Sequence, residues 1–427
     1  MKVLVVGAGG REHALSWKVS QSALVTSVFV APGNGGTELE DHLTNVDIQA
    51  DDIEGLASFA LEEAIDLTIV GPEDPLVNGI TDRFNDLGLK CFGPSKGAAQ
   101  LEGSKEFMKD FLQRHHIPTA EYSSFSDTER AIEYVEQKGC PIVIKADGLA
   151  AGKGVTIAHT VEEAKEAIYQ SLESKVFGEA GKKIVIEEFL DGEEASFIVM
   201  TDGTKVIPFA SSQDHKALED NDKGPNTGGM GAYSPAPIVD EYVHEKIMNE
   251  IIFPTLKGLR KDGYKYCGFL YAGMMIDKNK KLKVLEFNCR FGDPETQPIM
   301  MRLKSDLASL CYQACDDNLI EQPLEWDSRK AIGVVLAARG YPHGYAKGKD
   351  ITNIPSEKDD LKIFHAGTKI ESNSLKSNGG RVLCVTSLGD SVESAQNKAY
   401  DAISKIVWED AFYRKDIGYR AIARERK

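Results

Sequence analysis

Residues 142–155 read Ile-Val-Ile-Lys-Ala-Asp-Gly-Leu-Ala-Ala-Gly-Lys-Gly-Val, and the fold turns on how that stretch is read. Its first residues are β-branched and suit a strand. The chain then breaks at Gly148, Gly152 and Gly154 and resumes a strand-like pattern at Val155. Strand, glycine loop, strand describes a flap folded over a bound group. Glycines let backbone N–H groups approach an anion closely, and successive N–H groups form a nest for it. Lys145 and Lys153 add positive charge beside that nest, so nucleotide phosphates are the expected guest. The stretch is not a Walker A loop: the closing Gly-Lys-Ser/Thr is missing, and a strand follows instead of a helix. An ordinary glycine-rich hairpin is the alternative this stretch leaves open by itself.

Around it lies a chain of 427 residues, too long for one core, so two to four domains are expected. A hydrophobic content of 42% and a charged content of 27% belong to the soluble globular class. A net charge of -16 argues against nucleic acid or an anionic membrane as the main partner, because both need a basic face. It leaves room for a local basic pocket that takes a phosphorylated small molecule. The 7 cysteines are scattered and lack zinc-site spacing, which reads as reduced thiols in a cytoplasmic protein. The opening Met1-Lys2-Val3-Leu4-Val5-Val6-Gly7 reads as a first strand, not a signal peptide. No apolar run approaches the roughly 18 residues of a membrane span.

Residues 1–93 alternate strand-like runs (3–6, 25–30, 67–70, 89–92) with helical stretches (53–64, 79–87), which argues a doubly wound parallel sheet. Ligands bind beyond the carboxyl ends of such strands. The first end carries Gly7-Ala8-Gly9-Gly10-Arg11-Glu12-His13, and the third carries Gly71-Pro72-Glu73. A dinucleotide fingerprint fails there, because Glu12 replaces the third glycine and the second strand ends in Ala31-Pro32 where an acidic ribose anchor is required. Gly9, Gly10 and Arg11 still suit a single phosphate at a helix N-terminus.

Further along, Ser104 reads as the N-cap of a helix that puts Phe107, Met108, Phe111 and Leu112 on one face. Residues 119–190 look like a small α+β lid that contains the flap, a helix over 130–138, a helix opened by Thr160, and a strand over 183–187. A helix is expected over 242–260, then a hairpin of strands 268–276 and 282–287. Period two places Leu282, Val284, Glu286 and Asn288 on one face of the second strand. Two oxygen-bearing side chains at the end of an apolar face need partners. A hard cation such as Mg²⁺ satisfies them, and an ion pair inside the sheet is the alternative. The last hundred residues read as a small β-rich cap with strands over 331–337, 361–364 and 382–387 and a helix over 392–407. No chemistry of its own is evident in that cap, and His343 and His365 read as structural.

The flap with its lysines, the Glu187-Glu188-Phe189-Leu190 that follows, and the strand-ending Glu286-Phe287-Asn288 resemble the ATP-grasp superfamily. With Gly9-Gly10-Arg11, Gly71-Pro72-Glu73, Gln213-Asp214-His215-Lys216, residues 224–231 and residues 286–297 added, the whole chain resembles the glycinamide ribonucleotide synthetase family. The resemblance implies an α/β multidomain fold. Its parts would be an N-terminal doubly wound parallel-sheet domain (1–101), an ATP-grasp domain (102–325) with the small lid (119–190), and a β-rich C-terminal domain (326–427). It implies ATP-dependent ligation of glycine to 5-phosphoribosylamine through a glycyl phosphate, in purine biosynthesis. Another ATP-grasp carboxylate–amine ligase, or a carboxylate-activating enzyme with a different acceptor, is the alternative. It would put Lys105, Lys145, Asp147, Gly148, Gly152, Lys153 and Gly154 on the ATP phosphates. Glu187 and Leu190 would lie beside the adenine and Glu194 near the ribose. Glu286 and Asn288 would hold Mg²⁺ or Mn²⁺. Gly9, Gly10, Arg11, Pro72 and Glu73 would face the phosphoribosylamine, with Asp214 and Arg290 in the acceptor pocket and Lys145, Arg290 and Asp214 acting in catalysis. The expected partners are these small molecules, with neither nucleic acid nor membrane, and a monomer is the expected state with a dimer left open. In one respect the chain departs from many ATP-grasp enzymes: the strand over 268–276 carries no carboxylate to hold a second metal ion.

Overall fold

Val3, Leu4, Val5 and Val6 are all buried, as a parallel strand covered on both faces requires. In the computed structural model, which describes residues 1–149, 154–174, 176 and 178–426, they sit at the centre of a five-stranded sheet. Its order is Leu43–Asn45, Ser27–Pro32, Lys2–Gly7, Leu67–Val70, Cys91–Phe92, and every pairing is parallel. The strand order reverses between Lys2–Gly7 and Leu67–Val70, so the loops after Gly7 and Val70 flank a topological switch point. The second strand starts at Ser27, not at residue 25, because the Val25 N–H closes a turn on the Ser22 carbonyl.

The opening stretch lies in a four-stranded antiparallel sheet ordered Tyr122–Phe125, Ile184–Glu188, Ile142–Ala146, Val155–Ala158. Lys145 pairs with Val155 across the flap. The helices Thr128–Lys138 and Val161–Leu172 are capped by the Asp127 and Thr160 side chains. They close a small core of Ala131, Val135, Ile144, Ile168 and Ile186. Gly152 and Lys153 lie outside the described residues.

A second antiparallel sheet runs Val206–Pro208, Glu193–Thr201, Gly268–Ile276, Leu282–Asn288. The single helix expected over 242–260 is two helices, Glu241–Ile247 and Phe253–Lys261, joined by a π turn over Met248–Ile252. Pro254 has no N–H to give the residue four before it, and the wider turn absorbs that loss.

The C-terminal sheet takes in strands from mid-chain, in the order Gln213–Asp214, Gly231–Ser234, Lys330–Ala338, Arg381–Gly389, Leu361–His365. The helix Val392–Ile403 stops short of residue 407, because Val407 exchanges backbone hydrogen bonds with Thr352. This sheet is also fastened to the N-terminal one. Asn34 Nδ2 donates to the His365 carbonyl at 2.9 Å, and the His365 N–H donates to His13 Nδ1 at 2.9 Å. His13 Nε2 reaches Glu40 Oε1 at 3.1 Å, and Lys362 closes on the same carboxylate. His365 is thus a buried structural histidine, kept neutral by burial with a pKa of about 3. Among the described residues no helix is long and apolar enough to cross a membrane.

Candidate active site

A cavity of about 360 Å³ opens between the flap sheet, the Glu193–Thr201/Leu282–Asn288 sheet and the switch point of the N-terminal sheet. One end is apolar, lined by Met108, Val143, Ile157, Leu190, Met275 and Phe287. The other end is charged, and Arg11, Glu73, Asp214, Lys216, Arg290 and Arg381 reach it from distant parts of the chain. Lys105, Lys145, Glu286 and Asn288 lie between the two ends.

Lys145 is placed by a buried relay. Its Nζ sits 2.9 Å from Glu187 Oε1, and Glu187 Oε2 is 2.9 Å from Lys109 Nζ. Lys109 is fully buried and also donates to Thr119 Oγ1 at 2.7 Å. Burial brings the Lys109 ammonium down to about 8, against the pull of Glu187. The Glu187 side chain therefore points into the protein and orients a lysine. Lys105 opens the helix Lys105–Arg114, and its Nζ donates to the Gly148 carbonyl at 3.1 Å. Burial lowers its pKa, and neighbouring Lys145 adds to the effect.

Glu286 and Asn288 share one face of Leu282–Asn288 and both line the cavity, but a bulge at Leu285 turns that face away from Leu282 and Val284, with which the period-two pattern had grouped them. Lys216 pairs with Glu286 Oε1 at 3.1 Å and also with Glu194. Lys216, then Lys145, outweigh burial and hold the Glu286 carboxyl at about 2. A permanently ionised carboxylate beside an amide oxygen is a hard donor pair that suits Mg²⁺ or Mn²⁺. No cluster of three or more His, Cys, Asp or Glu is placed to hold a metal among the described residues, so the protein supplies only part of a coordination shell. Such partial shells are completed by substrate phosphates and water. The neighbouring strand presents Tyr271, in register with Asn288, where a carboxylate was missing from the sequence. Its hydroxyl meets Glu295 Oε1 at 3.0 Å, as does Ser196 Oγ.

At the charged end, Arg290 Nε donates to Glu73 Oε2 at 3.1 Å, and its NH2 lies 2.7 Å from Glu102 Oε1. Burial, with Glu73 nearby, pushes Glu102 up to about 6. Arg11 lies 3.9 Å from Glu73, bonds Glu12 and donates to the Phe291 carbonyl at 3.2 Å. Burial, then Glu295, raise the Asp214 carboxyl well above its ordinary range. Arg381 bonds Asp293 at 2.9 Å and the Asp293 carbonyl at 2.7 Å, and closes on the Gly228 carbonyl.

Lys105, Lys145, Gly154, Glu187, Leu190, Glu194, Glu286, Asn288, Arg11, Glu73, Asp214 and Arg290, all read from the sequence, converge on the cavity. Others do not line it. The Asp147 carboxylate accepts from the Ser104 hydroxyl and the Glu106 N–H, so it caps a helix. Gly148 packs on Ala180. Pro72 is the N-cap residue of Glu73–Asn78. The Gly9 N–H is taken by Glu12 Oε2 at 2.6 Å, and Gly10 faces Gln297 and Asp293. Lys216, Glu102, Glu295, Lys109 and Arg381 were not assigned roles from sequence. Lys216 stands two residues after Asp214, and Arg381 follows Gly379-Gly380 just as Arg11 follows Gly9-Gly10, a signal that was there to be used.

A glycine-bearing two-stranded flap over a lysine and carboxylate cleft defines an ATP-grasp protein. Structural comparison agrees at the level of fold: a biotin carboxylase domain from Hydrogenobacter thermophilus superposes with a TM-score of 0.74 at 16% identity, over 96% of this chain and 91% of that one. Family models are more specific. The phosphoribosylglycinamide synthetase N domain matches residues 1–102, the ATP-grasp (A) domain residues 103–296 and the C domain residues 331–420. The chain belongs to the phosphoribosylglycinamide synthetase family. It is 61% identical over 427 residues to a phosphoribosylamine–glycine ligase of Escherichia coli K12, and 60% identical over 428 residues to one of Vibrio vulnificus, covering 100% of each chain. The crystal structure of a phosphoribosylamine–glycine ligase from Thermotoga maritima matches with a TM-score of 0.86 at 34% identity, over 98% of this chain and 100% of that one.

Proposed function

We propose that this protein ligates glycine to 5-phosphoribosylamine at the expense of ATP, giving glycinamide ribonucleotide, ADP and phosphate, as a step of purine biosynthesis in the cytoplasm. The observation that carries the reading is the convergence of Lys105, Lys145, Glu286 and Arg290 on one cavity with an apolar end and a charged end. A carboxylate repels an amine and has no usable leaving group, so it must be activated. Charge in this cavity surrounds the place where terminal phosphates would lie, which favours γ-phosphoryl transfer to glycine over AMP transfer.

In this reading Met108, Val143 and Leu190 take the adenine, Glu194 the ribose, and Lys105 and Lys145 the phosphates, aided by the flap. Glu286 and Asn288 would hold Mg²⁺ or Mn²⁺, which when bound neutralises phosphate charge. Arg290 orients the carboxylate of glycine. Arg11, at the switch point, faces the phosphoribosylamine phosphate. Asp214, held protonatable by its surroundings, takes a proton from the attacking amine. Residues 1–101, 102–325 and 326–427 act as substrate, catalytic and cap units, with 119–190 as the lid that keeps water from the acyl phosphate. The working state is a monomer.

Glycine labelled with heavy oxygen in its carboxylate tests this. One labelled oxygen should appear in inorganic phosphate per turnover, with ADP as co-product. Unlabelled phosphate, or AMP and pyrophosphate, overturns it.

A further inference from the structure

A second cavity, of about 220 Å³, opens where the N-terminal sheet meets the start of the strand Gly268–Ile276 and the end of the helix Leu307–Cys315. It shares no lining residue with the nucleotide cavity. Cys91, Cys267 and Cys315 line it, together with Lys90 and Lys265. Thiols that are scattered in sequence are therefore gathered at one wall. The Cys267 Sγ donates to the Ala314 carbonyl at 3.4 Å, which sets it beside the residue preceding Cys315. Both thiols line the same cavity wall.

The two differ in exposure, as an attacking and a resolving thiol must. Cys315 is half-buried and Cys267 is buried. Lys90 and Lys265 stand at the same wall as Cys315, where they pair with Asp316 and Asp317. Cys91 is unlike them: burial pushes its thiol up to about 12, and Thr81 Oγ1 sits 3.7 Å from its Sγ. Cys311, fully buried behind the cavity, is likewise held as thiol by burial. No metal cluster is available to these thiols among the described residues.

We propose that Cys315 and Cys267 form a dithiol modification site that hydrogen peroxide converts to an intramolecular disulfide. The Cys315 thiolate attacks one peroxide oxygen; the S–O bond forms, the O–O bond breaks, and the second oxygen leaves as water after protonation. Cys315 is then a sulfenic acid. The Cys267 sulfur attacks it; the S–S bond forms, the S–O bond breaks, and the hydroxyl leaves as water with the Cys267 proton. The thiol pair gives up two electrons, and one peroxide becomes two waters.

The full chain treated with hydrogen peroxide, alkylated and mapped by mass spectrometry tests the proposal. Two of the 7 thiols should resist alkylation, in a Cys267–Cys315 linked peptide that dithiothreitol releases. Cys315→Ser should abolish the link. Cys267→Ser should leave Cys315 as a sulfenic acid that dimedone captures. Neither residue lines the nucleotide cavity, so retained ATP-dependent ligation reports that each variant is folded. The proposal is overturned by a link that forms only in denaturant, by pairing through Cys91 or Cys311, or by Cys315 oxidised to sulfinic acid while Cys267 stays free.

Discussion

Glu286 is ionised because of what surrounds it, with Lys216 overriding the cost of burial. Glu286→Gln keeps the shape and removes the charge that would hold a cation. Turnover should fall by about 100-fold or more, the scale of losing one electrostatic stabiliser. Near-normal rates at saturating Mg²⁺ would rule out the metal assignment. Glu73 carries a different consequence. Burial opposes its ionisation, yet Arg290 and then Arg11 prevail and hold it at about 2, below the ordinary 4.5. A carboxyl depressed by folding stabilises the native state above about pH 4.5, and that contribution is lost as pH falls towards 2. Glu73→Gln should therefore flatten the decline of melting temperature across that acid window, and an unchanged slope would refute it. That Glu286 and Asn288 share a face was legible because a strand repeats every two residues, but which face was not, because the bulge at Leu285 is set by pairing with the neighbouring strand. The helix-capping contacts of Asp147 were not legible, because a carboxylate next to a glycine loop looks the same whether it caps a helix or meets a ligand. Only the contact with Ser104 and the Glu106 N–H distinguishes the two.

Among the elements, Val155–Ala158 is the edge strand of its sheet, and Ile157 on it is 42% exposed while lining the cavity. A bound nucleotide would cover that side chain and damp opening of the edge. Hydrogen exchange of residues 155–158 should slow when Mg²⁺ and a non-hydrolysable ATP analogue are added. Equal exchange with and without them counts against the flap as a phosphate clamp. Element types were largely readable, because alternation and capping residues such as Asp127, Thr160 and Ser104 are local signals. Element ends were not. The strand Cys91–Phe92 starts late because the Leu89 N–H closes the preceding helix on the Phe84 carbonyl, and the helix ending at Ile403 stops before Val407, whose backbone groups pair with distant Thr352.

At the scale of the whole molecule, the cap read as chemically silent sends Arg381 into the cavity, where it holds Asp293 and the 228–229 loop. Arg381→Ala should lower kcat/KM for phosphoribosylamine by about 100-fold, as expected when one partner of a hydrogen-bonded charge pair at a binding site is removed. The KM for ATP should change little, and equal damage to both would mark Arg381 as structural. Such a residue is hidden in sequence because its partners lie 88 and 153 positions away. The seam from Asn34 and His13 to His365 and Lys362 extends the same theme. The ribosome makes the Gly9-Gly10-Arg11 turn near the start, but the groups that fasten its helix and the neighbouring loop emerge only after residue 360. During synthesis the first-made part of the site waits, unlatched, for the last-made part. Assembly of a competent pocket is therefore a late event in the life of each nascent chain, whatever the speed at which its first sheet folds.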